Sequence, residues 1–141
     1  MTAIAFPLEI VVEGTPISLG SSASSRGRWS AQIRASTQAR LRELSEWEWL
    51  DGRPVAVTIF YFPNADMQGD IDNIIKPILD GMKHVAYPDD GVVERVVAQR
   101  FEPGVLWEFQ SQSPQMMNAL GTAPPLVYIR VDDDLSWRRV S

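Results

Sequence analysis

The sequence predicts a mixed α/β domain of the α+β type, a four-stranded sheet with two main helices packed against it. Three observations predict it: a length suited to one core, segments of strict alternation, and two apolar stripes at helical spacing. With 141 residues the chain sits near the usual size of one domain, so residues 1–141 are expected to fold as a unit. A composition of 45% hydrophobic and 22% charged residues excludes a disordered chain.

Taken in order, Phe6, Leu8, Ile10 and Val12 alternate with Glu9 and Glu13, the pattern of a half-buried strand that stops at Gly14. Ser21 to Ser25 reads as a flexible serine-rich loop. Trp29, Ile33, Thr37, Leu41 and Leu44 then recur at helical spacing, with Arg34, Gln38 and Arg42 on a second face, and Trp47 and Trp49 are expected to cover the helix end. Val55 to Phe62 is β-branched and aromatic between Pro54 and Pro63, hence a central strand. Ile74, Ile75, Ile78, Leu79 and Met82 form the second helical stripe, and Val92 to Phe101 and Leu126 to Val131 complete the strands. Between them, residues 102–125 read as an insertion with a short helix near Gln115 to Leu120. Its Trp107, Phe109, Met116 and Met117 argue that it is packed rather than disordered.

The composition also excludes several chemistries. Without cysteine there is no disulfide, thiolate zinc site or cysteine nucleophile, and a lone His84 cannot build a histidine-rich metal centre. Any metal must be held by oxygen. No apolar run approaches membrane-spanning length, and Met1 to Gly14 lacks a secretory signal, so a soluble, cytoplasmic protein is expected. The formal charge of −5 is local in origin: Asp70, Asp72, Asp80, Asp89 and Asp90 account for it, whereas 14–42 carries Arg26, Arg28, Arg34, Arg40 and Arg42 and no acid. One segment is anionic and another cationic.

Chemistry concentrates between Gly69 and Asp90. Asp70 and Asp72 share a side in extended chain but splay on a helix, so they belong just before or at a helix start, where Asp72 or Asn73 can cap. Asp72, Lys76, Asp80 and Lys83 follow at helical steps, and the lean of helical side chains lets Lys76 reach back over the carboxylates. Pro77 belongs in a first turn, so either the helix starts near Ile74 or an earlier start is kinked. Asp89 and Asp90 follow in a turn, from which the next strand offers a return path toward the helix start. Three converging carboxylates without His or Cys suit Mg²⁺, with Mn²⁺ as the other candidate, because like charges packed together otherwise repel. The plainer alternative is a solvated helix face, its ion pairs worth about 0.3 to 0.5 kcal/mol each, in a non-catalytic structural or DNA-binding module.

Gly69-Asp70-Ile71-Asp72-Asn73-Ile74-Ile75-Lys76-Pro77-Ile78-Leu79-Asp80-Gly81-Met82, followed by Asp89-Asp90-Gly91-Val92-Val93, resembles the signature of the RusA family of Holliday-junction resolvases. The resemblance implies a RusA-like fold and a homodimeric, Mg²⁺-dependent endonuclease that nicks four-way DNA junctions in pairs during recombination and repair. It makes Asp70, Asp72 and Asp90 metal-binding catalytic carboxylates and Lys76 a catalytic cation. On that reading Arg26, Arg28, Arg34 and Arg42 contact the DNA backbone, guanidinium forks being matched to phosphate oxygens. The chain departs from the family after its first strand, where Gly14-Thr15-Pro16-Ile17-Ser18-Leu19-Gly20 stands in place of a Pro-Pro and an Asn, and in its acidic balance and the segment 102–125.

Overall fold

A computed structural model describes residues 2–3, 5–17, 20–44, 48–67 and 69–138. The elements run β1 (Thr2–Ala3), β2 (Leu8–Glu13), α1 (Ala23–Leu44), β3 (Glu48–Trp49), β4 (Val55–Phe62), α2 (Ile75–Met82), β5 (Val93–Arg100), α3 (Pro114–Gly121) and β6 (Leu126–Asp132). Short 3-10 turns at Ile71–Ile74, Asp90–Val92 and Ser136–Arg138 supplement them.

The main sheet has the order β2-β6-β4-β5. β6 pairs antiparallel with both β2 and β4, and β4 pairs parallel with β5, so the sheet is mixed. The predicted central strand is therefore central, and its alternating burial reflects neighbours on both sides. Two residues of β1 pair in parallel with β3 as a small separate ribbon. A parallel pair cannot be closed by a hairpin, so β4 reaches β5 through the crossover that carries α2. That crossover holds the aspartate-rich motif.

Leu8, Ile10 and Val12 of β2, Val57 and Ile59 of β4 and Ile129 of β6 meet Trp29 and Ile33 of α1 and Ile74, Ile78 and Met82 of the crossover in one core. The two helices cross closely. A Cβ added to Gly81 would stand 2.6 Å from Cβ of Ile33 and 2.8 Å from the carbonyl oxygen of Ser30, so only glycine fits. On the opposite sheet face Phe62, Leu126 and Tyr128 pack with Met116 and Ala119 of α3, making a third layer. Trp107 and Phe109 join Phe62 and Phe101 in an aromatic cluster with ring centroids 4.9 to 6.4 Å apart. Segment 102–125 is thus packed in part: Phe109, Met116 and Ala119 are held against the sheet as expected, whereas Val105 and Leu106 are exposed and Trp107 keeps 38% of its surface.

Several local expectations change. Ala23 to Ser25 are helical rather than loop, because the Ser22 hydroxyl accepts the Ser25 N–H at 3.2 Å and caps the first turn. Leu44 and Met117 face outward instead of into the core, being 48% and 60% exposed. Phe6 precedes β2 rather than belonging to it, although it packs against the core. Trp47 and the Trp49 side chain, expected over the end of α1, lie outside the described residues.

Candidate active site

The motif begins with a turn that Gly69 permits, its φ of +81° lying in the left-handed region. Asp70 follows in extended conformation at the head of the 3-10 turn, and its carbonyl accepts the Asn73 N–H at 3.1 Å. Its carboxylate makes no capping hydrogen bond, and Ile74 occupies the cap position of α2. Neither Asp72 nor Asn73 caps α2, contrary to the sequence expectation. The 3-10 turn resolves the Pro77 question: α2 starts at Ile75, Pro77 lies in its first turn, and the tighter geometry upstream absorbs the bend.

Asp70 and Ile71 face Ala98, Gln99 and Arg100 of the edge strand β5 across an open groove of about 360 Å³. Glu102 braces this groove. Its carboxylate accepts the Met67 N–H at 3.3 Å and pairs with Arg100 Nε at 3.2 Å, tying the approach to Asp70 to the end of β5. Sequence reasoning missed both Arg100 and Glu102, because their proximity to Asp70 comes from the crossover.

Asp90 opens the 3-10 turn before β5, its backbone N–H held by the Asp89 carboxylate at 2.8 Å. Oδ2 of Asp90 accepts from Lys76 Nζ at 3.1 Å, and the same ammonium pairs with Asp80 at 2.8 Å. Lys76 therefore reaches forward to Asp80 and across to Asp90, not back over Asp70 and Asp72. These two carboxylates, Asp80 first, raise the Lys76 pKa above the ordinary lysine value. Tyr87, buried beneath with its hydroxyl donating to the Leu79 carbonyl at 2.8 Å, is also raised, first by burial and then by the charges of Asp90 and Asp80. Asp80 is a partner that the helical spacing announced without assigning it a role.

Among the described residues no three acidic or histidine side chains are disposed to hold one metal ion. The carboxylates brought together are Asp80 and Asp90, with the Lys76 ammonium compensating their repulsion. The donor chemistry of the motif nevertheless suits a hard divalent cation. Oδ1 of Asp90 is shielded from water and has no hydrogen-bond partner among the described residues, an acceptor left over in a half-buried carboxylate. Asp70 and Asp72 are exposed and make no side-chain hydrogen bond or ion pair among the described residues. All three supply oxygen only, as Mg²⁺ or Mn²⁺ requires.

The arginines of α1 divide by task. Arg34 donates to the carbonyls of Asp80, Gly81 and Lys83 at 3.0, 3.3 and 3.2 Å, satisfying the C-terminal end of α2. Its guanidinium is thereby committed to the fold. Arg28 is exposed and bonds the Ser25 hydroxyl at 3.2 Å, Arg42 is exposed at the far end, and Arg26 donates to the Ser21 carbonyl.

Comparison with curated proteins finds no match. Comparison with protein families matches residues 23–116, two thirds of the chain, to the model described as endodeoxyribonuclease RusA. The matched span holds α1, the whole Gly69–Asp90 motif and β5, and continues into the segment expected to be an insertion. On that match the chain belongs to the RusA family of Holliday-junction resolvases.

Proposed function

We propose that this protein is a Mg²⁺-dependent, structure-selective endodeoxyribonuclease that resolves four-way DNA junctions by paired nicks in recombination and repair. It acts in the cytoplasm as a homodimer. The observation that carries the reading is Asp90: inside the family-matched span, it engages Lys76 with one oxygen and keeps the other unpartnered. A merely structural ion pair does not require a buried orphan acceptor.

Asp70, Asp72 and Asp90 would hold the cation, which would have to draw the exposed Asp70 and Asp72 side chains toward Asp90, since no three acids are disposed around one point among the described residues. When bound, Mg²⁺ lowers the pKa of a coordinated water and stabilises charge on the phosphate undergoing attack. Lys76 orients the Asp90 carboxylate through its charge-assisted hydrogen bond and counters negative charge that grows at the phosphate. The scissile strand runs in the groove beside Asp70, where Arg100 offers a guanidinium to a non-bridging oxygen. Arg28 and Arg42, with Arg26, contact the backbone further along α1, and Arg34 is a positioning residue for α2. A four-way junction has approximate two-fold symmetry, which a symmetric pair of protomers matches with two active sites.

The test incubates labelled four-way junction and linear duplex with the protein, with and without Mg²⁺. Symmetric nicks confined to the junction and dependent on Mg²⁺ are expected. Asp70→Asn and Asp90→Asn should each lose more than about a hundredfold in cleavage while junction binding by gel shift persists. Undiminished cleavage by both variants would remove these carboxylates from the reaction.

A further inference from the structure

The nuclease site uses the crossover and the edge of the sheet, leaving a second cavity on the opposite sheet face without a role. It encloses about 410 Å³. Three strands build its floor: Ala56 pairs with Arg95 on β5 and Asp132 on β6, while Thr58 pairs with Val97 and Arg130. Alternate residues of a strand share one face, so small Ala56 and Thr58 leave a low trough along β4. Arg95 and Arg130 flank it from strands about 10 Å apart. Phe109, packed on Phe60 at 5.7 Å, walls the end toward the aromatic cluster, and Ser111 stands beside it.

The acids here are already occupied. Asp132 accepts from Arg130 at 2.9 Å and from the Asp134 N–H at 3.0 Å, and Asp134 accepts from the Ser136 N–H at 2.9 Å. The donors are only partly used: Arg130 spends one guanidinium nitrogen on Asp132, while its Nε, shielded from water, and the Arg95 guanidinium have no partner among the described residues. The hydroxyls of Thr58 and Ser111 are likewise unpaired among the described residues. The cavity therefore presents unspent guanidinium and hydroxyl donors, beside the engaged Asp132 and Asp134, over a small-residue floor with an aromatic wall.

We infer that this cavity binds a nucleoside monophosphate unit, its phosphate between Arg95 and Arg130 and its base against Phe109. Guanidinium forks match phosphate oxygens, aromatic faces stack bases of any identity, and the volume suits a small organic ligand rather than a lone ion. The unit comes either as a free nucleotide or as an unpaired nucleotide of a strand. The inference does not rest on the nuclease reading, since the face lies across the sheet from α2.

Calorimetric titration of the full chain in EDTA with deoxyadenosine monophosphate tests it, beside deoxyadenosine and inorganic phosphate. Saturable binding of one monophosphate per chain is expected, with both fragments weaker. Arg95→Gln and Arg130→Gln should each weaken binding about tenfold or more, and Ala56→Leu, which fills the trough, should abolish it while the chain stays folded by circular dichroism. Arg95 has no partner to lose among the described residues, so its variant keeps the test valid if Arg130→Gln is unstable. Displacement of the nucleotide by oligodeoxyadenylate assigns the site to a strand, and no displacement assigns it to the free nucleotide. Absence of saturable binding, or binding unchanged in Arg95→Gln and Ala56→Leu, overturns the inference. So does an Ala56→Leu variant that blocks self-association of a chain that binds no nucleotide, since a second copy then covers this face.

Discussion

Lys76 holds two carboxylates at 2.8 and 3.1 Å, yet its side chain is 51% exposed. Exposure screens such pairs, so Lys76→Gln should change unfolding free energy by less than about 1 kcal/mol in urea titrations. Cleavage should nevertheless fall about a hundredfold, because the loss is felt where charge develops. Equal losses of stability and activity would make the ammonium structural instead. The tyrosines supply a pH prediction. Tyr61, Tyr87 and Tyr128 all have raised pKa values, each first by burial, with Glu9, at 2.5 Å from the Tyr128 hydroxyl, adding to the last. A raised pKa means the folded state favours the neutral phenol, so stability is intact below the ordinary tyrosine value and declines as pH rises through and beyond it. Absorbance titration of the native protein should therefore show little phenolate at pH about 10, the ordinary tyrosine midpoint, and full ionisation only on alkaline unfolding.

At the level of elements, α1 is the template against which α2 is held. Gly81→Ala gains about 1 kcal/mol of helix propensity but drives a methyl group into Ile33 and the Ser30 backbone. Backbone cannot yield as a side-chain tip can, so overpacking should win, with a net loss of about 1 to 2 kcal/mol in chemical denaturation. Arg34→Met removes three bonds to carbonyls at the end of α2 and should cost about 2 kcal/mol, without altering the salt dependence of DNA binding. Arg28→Ala should do the reverse, leaving stability unchanged and reducing the slope of log affinity against log salt by about one. The two arginines stand about 120° apart in projection on α1, in the same acid-free segment. The contact with a helix more than forty residues away is what makes Arg34 a cap.

For the whole molecule, the sheet divides the labour: helices and the aspartate motif on one face, α3 and the arginine-flanked trough on the other. A net charge of −5 opposes approach to DNA, so on the proposed metal site junction affinity should rise when Mg²⁺ is added to the Asp-intact chain, whereas Asp70→Asn should still bind but respond little to Mg²⁺. The proposed homodimer is checked by sedimentation, with twice the mass of the chain as the expected result. Among the described residues no helix is long and apolar enough to cross a membrane.

Periodicity within a few turns or a few strand residues carried the four strands of the main sheet, the two main helices and part of the packing of 102–125, and the aspartate motif was legible from its spacing, because those signals are local, whereas the short β1–β3 ribbon left no such signal. The run of apolar residues on alternate positions defines a buried face whatever lies opposite it. Partner choice was different. That Lys76 also reaches across to Asp90, that Arg34 caps α2, that Arg100 faces Asp70 and is braced by Glu102, and that Arg95 and Arg130 flank one trough all depend on a parallel crossover and on strand order, whereas the pairing of Lys76 with Asp80 four residues on was legible in the helical spacing. Contacts between residues far apart in the chain arise only when burial of the two helices against the sheet fixes the path between them, and no spacing along the sequence encodes that path.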